Sequence, residues 1–266
     1  MTGFIGGGNM AEALIKGIVQ SSKLKVKSEI IVSEPREERR GYLEKTYGVK
    51  TTNSNKDIAS SCNIIILAVK PQIMGQVLEE IKSAVTDDKT VVSIAAGITL
   101  SYLQSKLNTK KLIRVMPNTP ALVHEGMSVM SLCECFSDKD INPVREIFMS
   151  VGKVLTLPEK YMNAVTALSG SGPAFIAFFI EAMVEGGVKS GLSKENASEL
   201  AIQTLLGTAS LLETGMPPEK LREMVTSPGG TTAAGLKVFE EKELMDIVLS
   251  AIDSAVKRAE ELGRKE

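Results

Sequence analysis

The sequence predicts a doubly wound α/β domain with a mostly parallel sheet over residues 1–157, followed by an all-α domain over 158–266. Three observations predict this. A short apolar strand runs into closely spaced glycines and then an amphipathic helix. Strand and helix patterns alternate up to residue 157, and Ile64-Ile65-Ile66-Leu67-Ala68-Val69 is a continuous apolar run, as expected of a parallel strand buried on both faces. After Pro158 no strand pattern returns.

Taken in order, Thr2-Gly3-Phe4-Ile5 is the first strand and leads into Gly6-Gly7-Gly8-Asn9-Met10-Ala11. Ala11, Leu14, Ile15, Ile18 and Val19 then share one helical face. Gly6-x-Gly8-x-x-Ala11 between strand and helix is the dinucleotide fingerprint of the Rossmann fold. Gly6 permits the tight turn, Gly8 lets a pyrophosphate approach the backbone, and the small Ala11 lets helix pack on strand. The phosphates would sit on the helix N-terminus, where free N–H groups and the dipole favour negative charge.

The second strand, 29–33, ends in Ser33-Glu34-Pro35-Arg36. An acid there favours the free ribose of NAD, whereas a nearby arginine accommodates the 2′-phosphate of NADP. Glu34 and Ser33 pull one way and Arg36, Arg39 and Arg40 the other, so NADH and NADPH both stay open. The arginines also fit the solvated face of a helix over 36–47.

Residues 48–50 read as a third strand and 64–69 as the fourth, ending in Lys70-Pro71. A helix with Ile73, Val77, Leu78, Ile81 and Val85 follows. Strand 91–94 ends in Ala95-Ala96-Gly97 and precedes helix 99–107; strand 112–116 ends in Pro117-Asn118. Strand 127–132, helix 138–149 and strand 153–157 complete the domain. Glycines 6–8, Ser33, Lys70, Gly97 and Asn118 therefore gather along the one sheet edge where such folds bind ligands.

In the second domain residues 159–168 read as helical. Residues 174–189 are apolar almost all round (Phe175, Ile176, Phe178, Phe179, Ile180, Met183, Val184), and a helix of that kind must be buried on every side. A domain of this size hardly covers it alone, so a partner subunit is expected. Helices 194–213, 217–225 and 242–262 follow the same 3–4 spacing.

The stretch Thr226-Ser227-Pro228-Gly229-Gly230-Thr231-Thr232 precedes another apolar helical pattern. A Gly-rich turn opening a helix presents backbone N–H groups to a carboxylate or phosphate, and two threonine hydroxyls add groups that both donate and accept. The plain alternative is a loop ending in an N-cap threonine.

The 266 residues carry a net charge of −1 and no basic tract, so nucleic-acid binding has no electrostatic footprint. No apolar run is read as approaching the roughly 20 residues that span a bilayer, and no basic region precedes an apolar core at the N-terminus, which argues against a signal peptide. Cys62, Cys133 and Cys135 lack a metal-ligand spacing and read as thiols of a reducing cytoplasm; no metal is expected. With His124 the only histidine and no nucleophile elbow, catalysis by a histidine base is not expected.

The motifs Phe4-Ile5-Gly6-x-Gly8-Asn9-Met10-Ala11, Ala68-Val69-Lys70-Pro71, Ala95-Ala96-Gly97, Met116-Pro117-Asn118-Thr119-Pro120, Leu168-Ser169-Gly170-Ser171-Gly172-Pro173-Ala174 and Val225-Thr226-Ser227-Pro228-Gly229-Gly230-Thr231-Thr232 span nearly the whole chain. With them the chain resembles the pyrroline-5-carboxylate reductase family, the last of them being the specific one. The resemblance implies a Rossmann domain, a helical domain that interlocks with a second subunit, and association into pentamers of dimers. It implies hydride transfer from NADPH or NADH to the C=N carbon of 1-pyrroline-5-carboxylate, giving L-proline. Cofactor contacts would fall to Gly6, Gly7, Gly8, Asn9, Met10, Ala11, Ser33, Glu34, Asn55, Ala68, Val69, Lys70, Pro71, Ala96, Gly97 and Asn118. The substrate would fall to Gly229, Gly230, Thr231, Thr232 and Ser171, with Thr232 as the catalytic contact near the ring nitrogen.

A cyclic imine is basic enough to enter as an iminium, so the protein needs a carboxylate anchor, a hydrogen bond at nitrogen and orientation rather than a strong acid. Two other readings share the fold class. A 3-hydroxyacid or 6-phosphogluconate type dehydrogenase would want a catalytic lysine on the first long helix of the second domain, where only Lys189 at the far end stands. A nucleotide-sensing module would have no use for an intact Ser227–Thr232 turn.

Overall fold

The computed structural model describes residues 1–21, 30–133, 136 and 138–264. It divides into two compact units, Met1–Ser171 with the residues from Ala255 onward, and Gly172–Ser254.

The first unit is built on an eight-stranded sheet. Its strands are β1 (Thr2–Ile5), β2 (Ile30–Ser33), β3 (Lys50–Thr52), β4 (Ile64–Leu67), β5 (Thr90–Ser93), β6 (Leu112–Met116), β7 (Gly126–Leu132) and β8 (Gly152–Thr156), in the order β3-β2-β1-β4-β5-β6-β7-β8. All neighbours are parallel except β6 and β7, which run antiparallel. The helices between them are α1 (Asn9–Gln20), α2 (Glu37–Tyr47), α3 (Asn55–Ser61), α4 (Pro71–Ile81), α5 (Leu100–Lys106) and α6 (Asp138–Met149), and the short α7 (Met162–Val165) follows β8.

Strand pleating sorts successive side chains to opposite faces, and the core divides accordingly. Phe4, Val32, Ile66, Val92 and Ile113 pack on one face with Leu14, Ile15 and Ile18 of α1, Leu43 of α2 and Phe148 of α6. Ile5, Ile65, Leu67 and Val91 pack on the other with Ile58 of α3, Met74, Leu78 and Ile81 of α4 and Leu103 of α5. The apolar run at 64–69 is therefore a central strand feeding both cores. Truncating such a residue to alanine costs about 2–5 kcal/mol.

The third strand lies two residues later than the periodicity indicates. Gly48, expected to begin it, instead ends α2 in the left-handed region (φ 67°), with its N–H donating to the Glu44 carbonyl. Glu29, expected in the second strand, lies outside the described residues. The helical reading of 159–168 resolves into a 3-10 turn (Glu159–Tyr161), α7 and a π-helical turn (Thr166–Gly170). Glu159 ties this segment to the sheet. Its Oε1 accepts from buried Arg114 of β6 at 3.1 Å and from the Leu100 N–H at 2.8 Å.

Of the cysteines, Cys62 is a buried free thiol whose pKa burial pushes up. Cys133 is disulfide-bonded, which corrects the reading of ordinary thiols; that reading rested on cysteine count and spacing, which carry no distances. Cys135 lies outside the described residues.

The second unit contains α8 (Gly172–Lys189), α9 (Lys194–Glu213), α10 (Pro218–Met224), α11 (Thr231–Glu241) and the start of α12 (Leu244–Arg264). Ser193 caps α9 by accepting from the Asn196 N–H at 3.1 Å. α8 packs on α9, and Phe179 of α8 meets Phe239 of α11 with ring centroids 6.4 Å apart. Even so, no residue of α8 is buried, and Phe178 is 73% exposed. The helical stretch Glu159–Lys189 is long and apolar enough to cross a membrane by length and composition. That corrects the expectation that no run approaches such a length.

Candidate active site

Parallel register aligns the C-terminal ends of the central strands. Ile5 stands opposite Ser33 and Leu67, and Leu67 opposite Ser93. Backbone bonds carry the alignment into the loops. Gly6 N–H donates to the Ser33 carbonyl at 2.8 Å, Ala68 N–H to Ile5 at 2.8 Å and Ile94 N–H to Leu67 at 3.2 Å. The loops at Gly6–Gly8, Glu34, Ala68–Lys70 and Ala95–Gly97 are thus brought to one edge.

Gly6 holds φ 99°, and a Cβ there would stand 2.6 Å from the Ala68 carbonyl oxygen. Both facts demand glycine. Gly8 is the N-cap of α1, with extended backbone and no side-chain cap. The first helical N–H groups, of Asn9, Met10 and Ala11, therefore face out from the helix start. The space a Cβ of Gly8 would fill has no atom within 4 Å. An open approach to uncapped, neutral N–H donors at the positive end of a helix fits a pyrophosphate. Buried Ala11 and half-buried Met10 pack into the core behind the loop.

Glu34 is nearly buried, and its carboxylate points beneath the glycine loop. Oε2 accepts from the Gly7 N–H at 3.0 Å, and Oε1 from Arg36 Nε at 2.7 Å. Burial pushes its pKa up, but the bonds from the Arg36 side chain and from the Gly7 and Arg36 N–H groups, with the Arg36 charge, outweigh burial and hold it below the ordinary value. Ser33 Oγ donates to Asn55 Oδ1 at 2.6 Å, and Asn55 Nδ2 donates to Glu80 of α4 at 2.8 Å. Lys70 is exposed and precedes Pro71, the first residue of α4. Ala68 and Val69 are half-buried, as is Ala96, while Gly97 is buried with φ 83°. Asn118, beyond β6, accepts from the Met127 N–H at 2.8 Å and donates to Ser169 at 3.2 Å. Half-buried Ser171 donates to the Thr166 carbonyl at 3.4 Å.

Two of the three arginines offered for a phosphate are engaged elsewhere. Arg39 Nε donates to the Gly7 carbonyl at 2.7 Å, and Arg40 donates to the carbonyls of Glu34 and Pro35 at 2.8 and 2.9 Å. Sequence reading missed these roles, and it missed Glu12 and Glu80 altogether. Only the acid in the first turn of α1 was a usable signal.

In the second unit, Gly229 sits at φ 71° and the Gly230 N–H closes the turn on the Ser227 carbonyl at 3.0 Å. Gly230 is the N-cap of α11, again without a side-chain cap. Thr231 and Thr232 are the first two helical residues, so neither is the cap that the plain alternative supposed. Thr232 is half-buried and Thr231 exposed. Thr226 donates to the Arg222 carbonyl at 2.6 Å, which fixes the turn to the end of α10.

Residues 159–262 match the family model for pyrroline-5-carboxylate reductase dimerisation, and residues 1–97 match that for NADP oxidoreductase, coenzyme F420-dependent. The chain is 42% identical over 264 residues to pyrroline-5-carboxylate reductase of Synechocystis, covering 99% of this chain and 98% of that one. It is 41% identical over 265 residues to the reductase of Methanosarcina acetivorans, covering 99% and 98%. Among solved structures, Plasmodium falciparum pyrroline carboxylate reductase with NADP bound superposes with a TM-score of 0.88 at 34% identity, covering 98% of this chain and 97% of that one. Identity at this level over the full length, on this fold and with both glycine-rich turns in place, means that the chain belongs to the pyrroline-5-carboxylate reductase family, NAD(P)H-dependent oxidoreductases acting on a C=N bond.

Proposed function

We propose that the strand-edge loops of the first unit hold the nicotinamide dinucleotide and that the Ser227–Thr232 turn holds the carboxylate of 1-pyrroline-5-carboxylate. The reaction, that of the family, is the reduction of this cyclic imine to L-proline, the last step of proline biosynthesis. The observation that carries the division of labour is that each unit has one glycine-rich turn opening a helix that no side chain caps.

The dinucleotide, when bound, supplies a hydride to the C=N carbon. The chain's own residues bind and orient. The N–H groups that open α1 meet the pyrophosphate; Ser33, Glu34 and Asn55 meet the adenosine ribose; Ala68, Val69, Lys70, Pro71, Ala96, Gly97 and Asn118 line the rest of the dinucleotide path. The N–H groups of Gly230, Thr231 and Thr232 meet the substrate carboxylate, with Ser171 a further contact, and the Thr232 hydroxyl hydrogen-bonds at the ring nitrogen. The imine enters protonated, so hydride addition yields the amine directly and no histidine is called upon. Holding both reactants in position supplies roughly 7–11 kcal/mol of barrier lowering.

The dehydrogenase alternative has no support at Lys189, which ends α8 exposed and paired with Glu185 at 2.6 Å. Residues 1–157 are assigned as the dinucleotide domain and 158–266 as the dimerisation and substrate domain. The exposed apolar residues of α8 are assigned to the dimer contact, dimers associate into a decamer, and the enzyme works in the cytoplasm. Both NADH and NADPH are accepted, because Glu34 and Arg36 act oppositely on a 2′-phosphate. An assay with 1-pyrroline-5-carboxylate and each cofactor tests this: saturable oxidation of both is expected, oxidation of one alone would refute the dual acceptance, and oxidation of neither would refute the activity.

A further inference from the structure

The two peptide groups of Gly7 are gripped from opposite ends of the loop by side chains far along the chain. Its N–H donates to Glu34 at 3.0 Å and its carbonyl accepts from Arg39 Nε at 2.7 Å. Arg39 is itself held. Its Nη2 donates to Glu12 Oε2, and its guanidinium carbon lies 5.0 Å from the centroid of the Tyr42 ring. Glu12 Oε1 accepts in turn from the hydroxyls of Tyr42 at 2.9 Å and Tyr47 at 2.7 Å. One network thus joins the glycine loop, the first turn of α1 and the length of α2.

A peptide unit is planar, so the Gly7 carbonyl and the Gly8 N–H belong to one rigid group and point in opposite directions. Fixing the carbonyl toward Arg39 turns the Gly8 N–H away from it, at the start of α1. Three consecutive glycines otherwise leave this loop many conformations to lose on binding. We infer that Arg39 is a positioning residue that sets the glycine loop in its pyrophosphate-binding conformation before the dinucleotide arrives, and that it is not a ligand of the 2′-phosphate. To reach a phosphate it would have to leave the Gly7 carbonyl, the Glu12 carboxylate and the Tyr42 face together, whereas Arg36 is 68% exposed and is tied to Glu34 through Nε.

The inference rests on the dinucleotide reading of this loop, and steady-state kinetics with NADH and NADPH separates the two. A positioning role predicts that Arg39→Met raises KM for both dinucleotides by the same factor, about tenfold for a lost charge-assisted bond, with kcat and KM for 1-pyrroline-5-carboxylate within about twofold of wild type. Arg39→Lys, which keeps charge and one donor but cannot grip Gly7 and Glu12 together, should recover part of the loss. Glu12→Gln, which keeps the size of the anchor, should move both KM values the same way by less. A loss confined to NADPH would make Arg39 a phosphate ligand and overturn the inference. So would unchanged KM values with only a lowered Tm. Wild-type protein with no saturable dependence on either dinucleotide would instead overturn the reading on which the inference stands.

Discussion

The two glycine-rich turns have nearly the same local form and very different surroundings. Gly8 and Gly230 are both N-caps with extended backbone, at φ −72° and −76°, and neither helix start has a side-chain cap. The first turn lies on a sheet edge and is held from outside itself, by the Ser33 carbonyl, Glu34 and Arg39, with buried Leu43 behind it. The second closes on its own Ser227, and Gly229 is exposed. The same backbone chemistry for anions is thus preorganised in one case by a folded unit. In the other it stands among helices with exposed apolar residues, in the segment that matches the family's dimerisation model. A turn can carry its function in its own residues or borrow its rigidity, and the two should fail differently.

The largest effect is expected at Gly6. Gly6→Val forces a branched side chain onto φ 99° and against the Ala68 carbonyl, costing about 1–3 kcal/mol of stability. It should lower kcat/KM for the dinucleotide by about 100-fold. Near-normal kinetics would show that the first turn does not hold the cofactor. Next is Thr232→Ala. Because Gly230 rather than Thr232 is the N-cap, Tm should barely move, while kcat/KM for 1-pyrroline-5-carboxylate falls about 10–150-fold, the worth of a hydrogen bond to a charged group. Thr232→Ser should retain most activity. Wild-type kinetics in Thr232→Ala would leave only the backbone of the turn as the substrate contact.

The smallest effect is on acid stability and belongs to the first turn alone. Burial pushes the Glu12 carboxyl up, but bonds from Tyr47, Arg39 and Tyr42 and the Arg39 charge outweigh it, as Arg36 and Gly7 do for Glu34. Both are held below the ordinary value of 4.5 in the folded protein. Their stabilisation is therefore complete above the unfolded-state value and is lost as pH falls through the lower, folded one. The urea midpoint should drop below about pH 4.5, and Glu12→Gln should flatten that drop. An equal slope in wild type and variant would remove Glu12 from the network.

The sheet was legible because its signals are local. The continuous apolar run at 64–69 marks a strand covered on both faces, with Ile65, Ile66 and Leu67 fully buried, and strand, glycines and helix at 2–20 follow one another without a gap. The start of β3 was misplaced because Gly48 serves α2, a fact of backbone angle that periodicity does not record. Arg39 and Arg40 were read as phosphate contacts or a solvated face, yet both bond to carbonyls; pairing across 32 residues to Gly7 is set by how α2 packs beside α1, and no spacing encodes it. The Thr226–Thr232 turn was legible as a motif, but its cap was not, since Ser, Thr and Gly all serve at that position.

Crossed steady-state kinetics of Gly230→Ala tests the division of labour between the turns most directly. The backbone of Gly230 suits alanine at φ −76°, but the new Cβ would stand 2.5 Å from Ser227 Oγ and disturb the turn. KM for 1-pyrroline-5-carboxylate should rise about 2- to 10-fold, the worth of one weakened hydrogen bond, with KM for NADH and NADPH unchanged. A rise in the dinucleotide KM with the imine KM unmoved would contradict the assignment of this turn to the substrate.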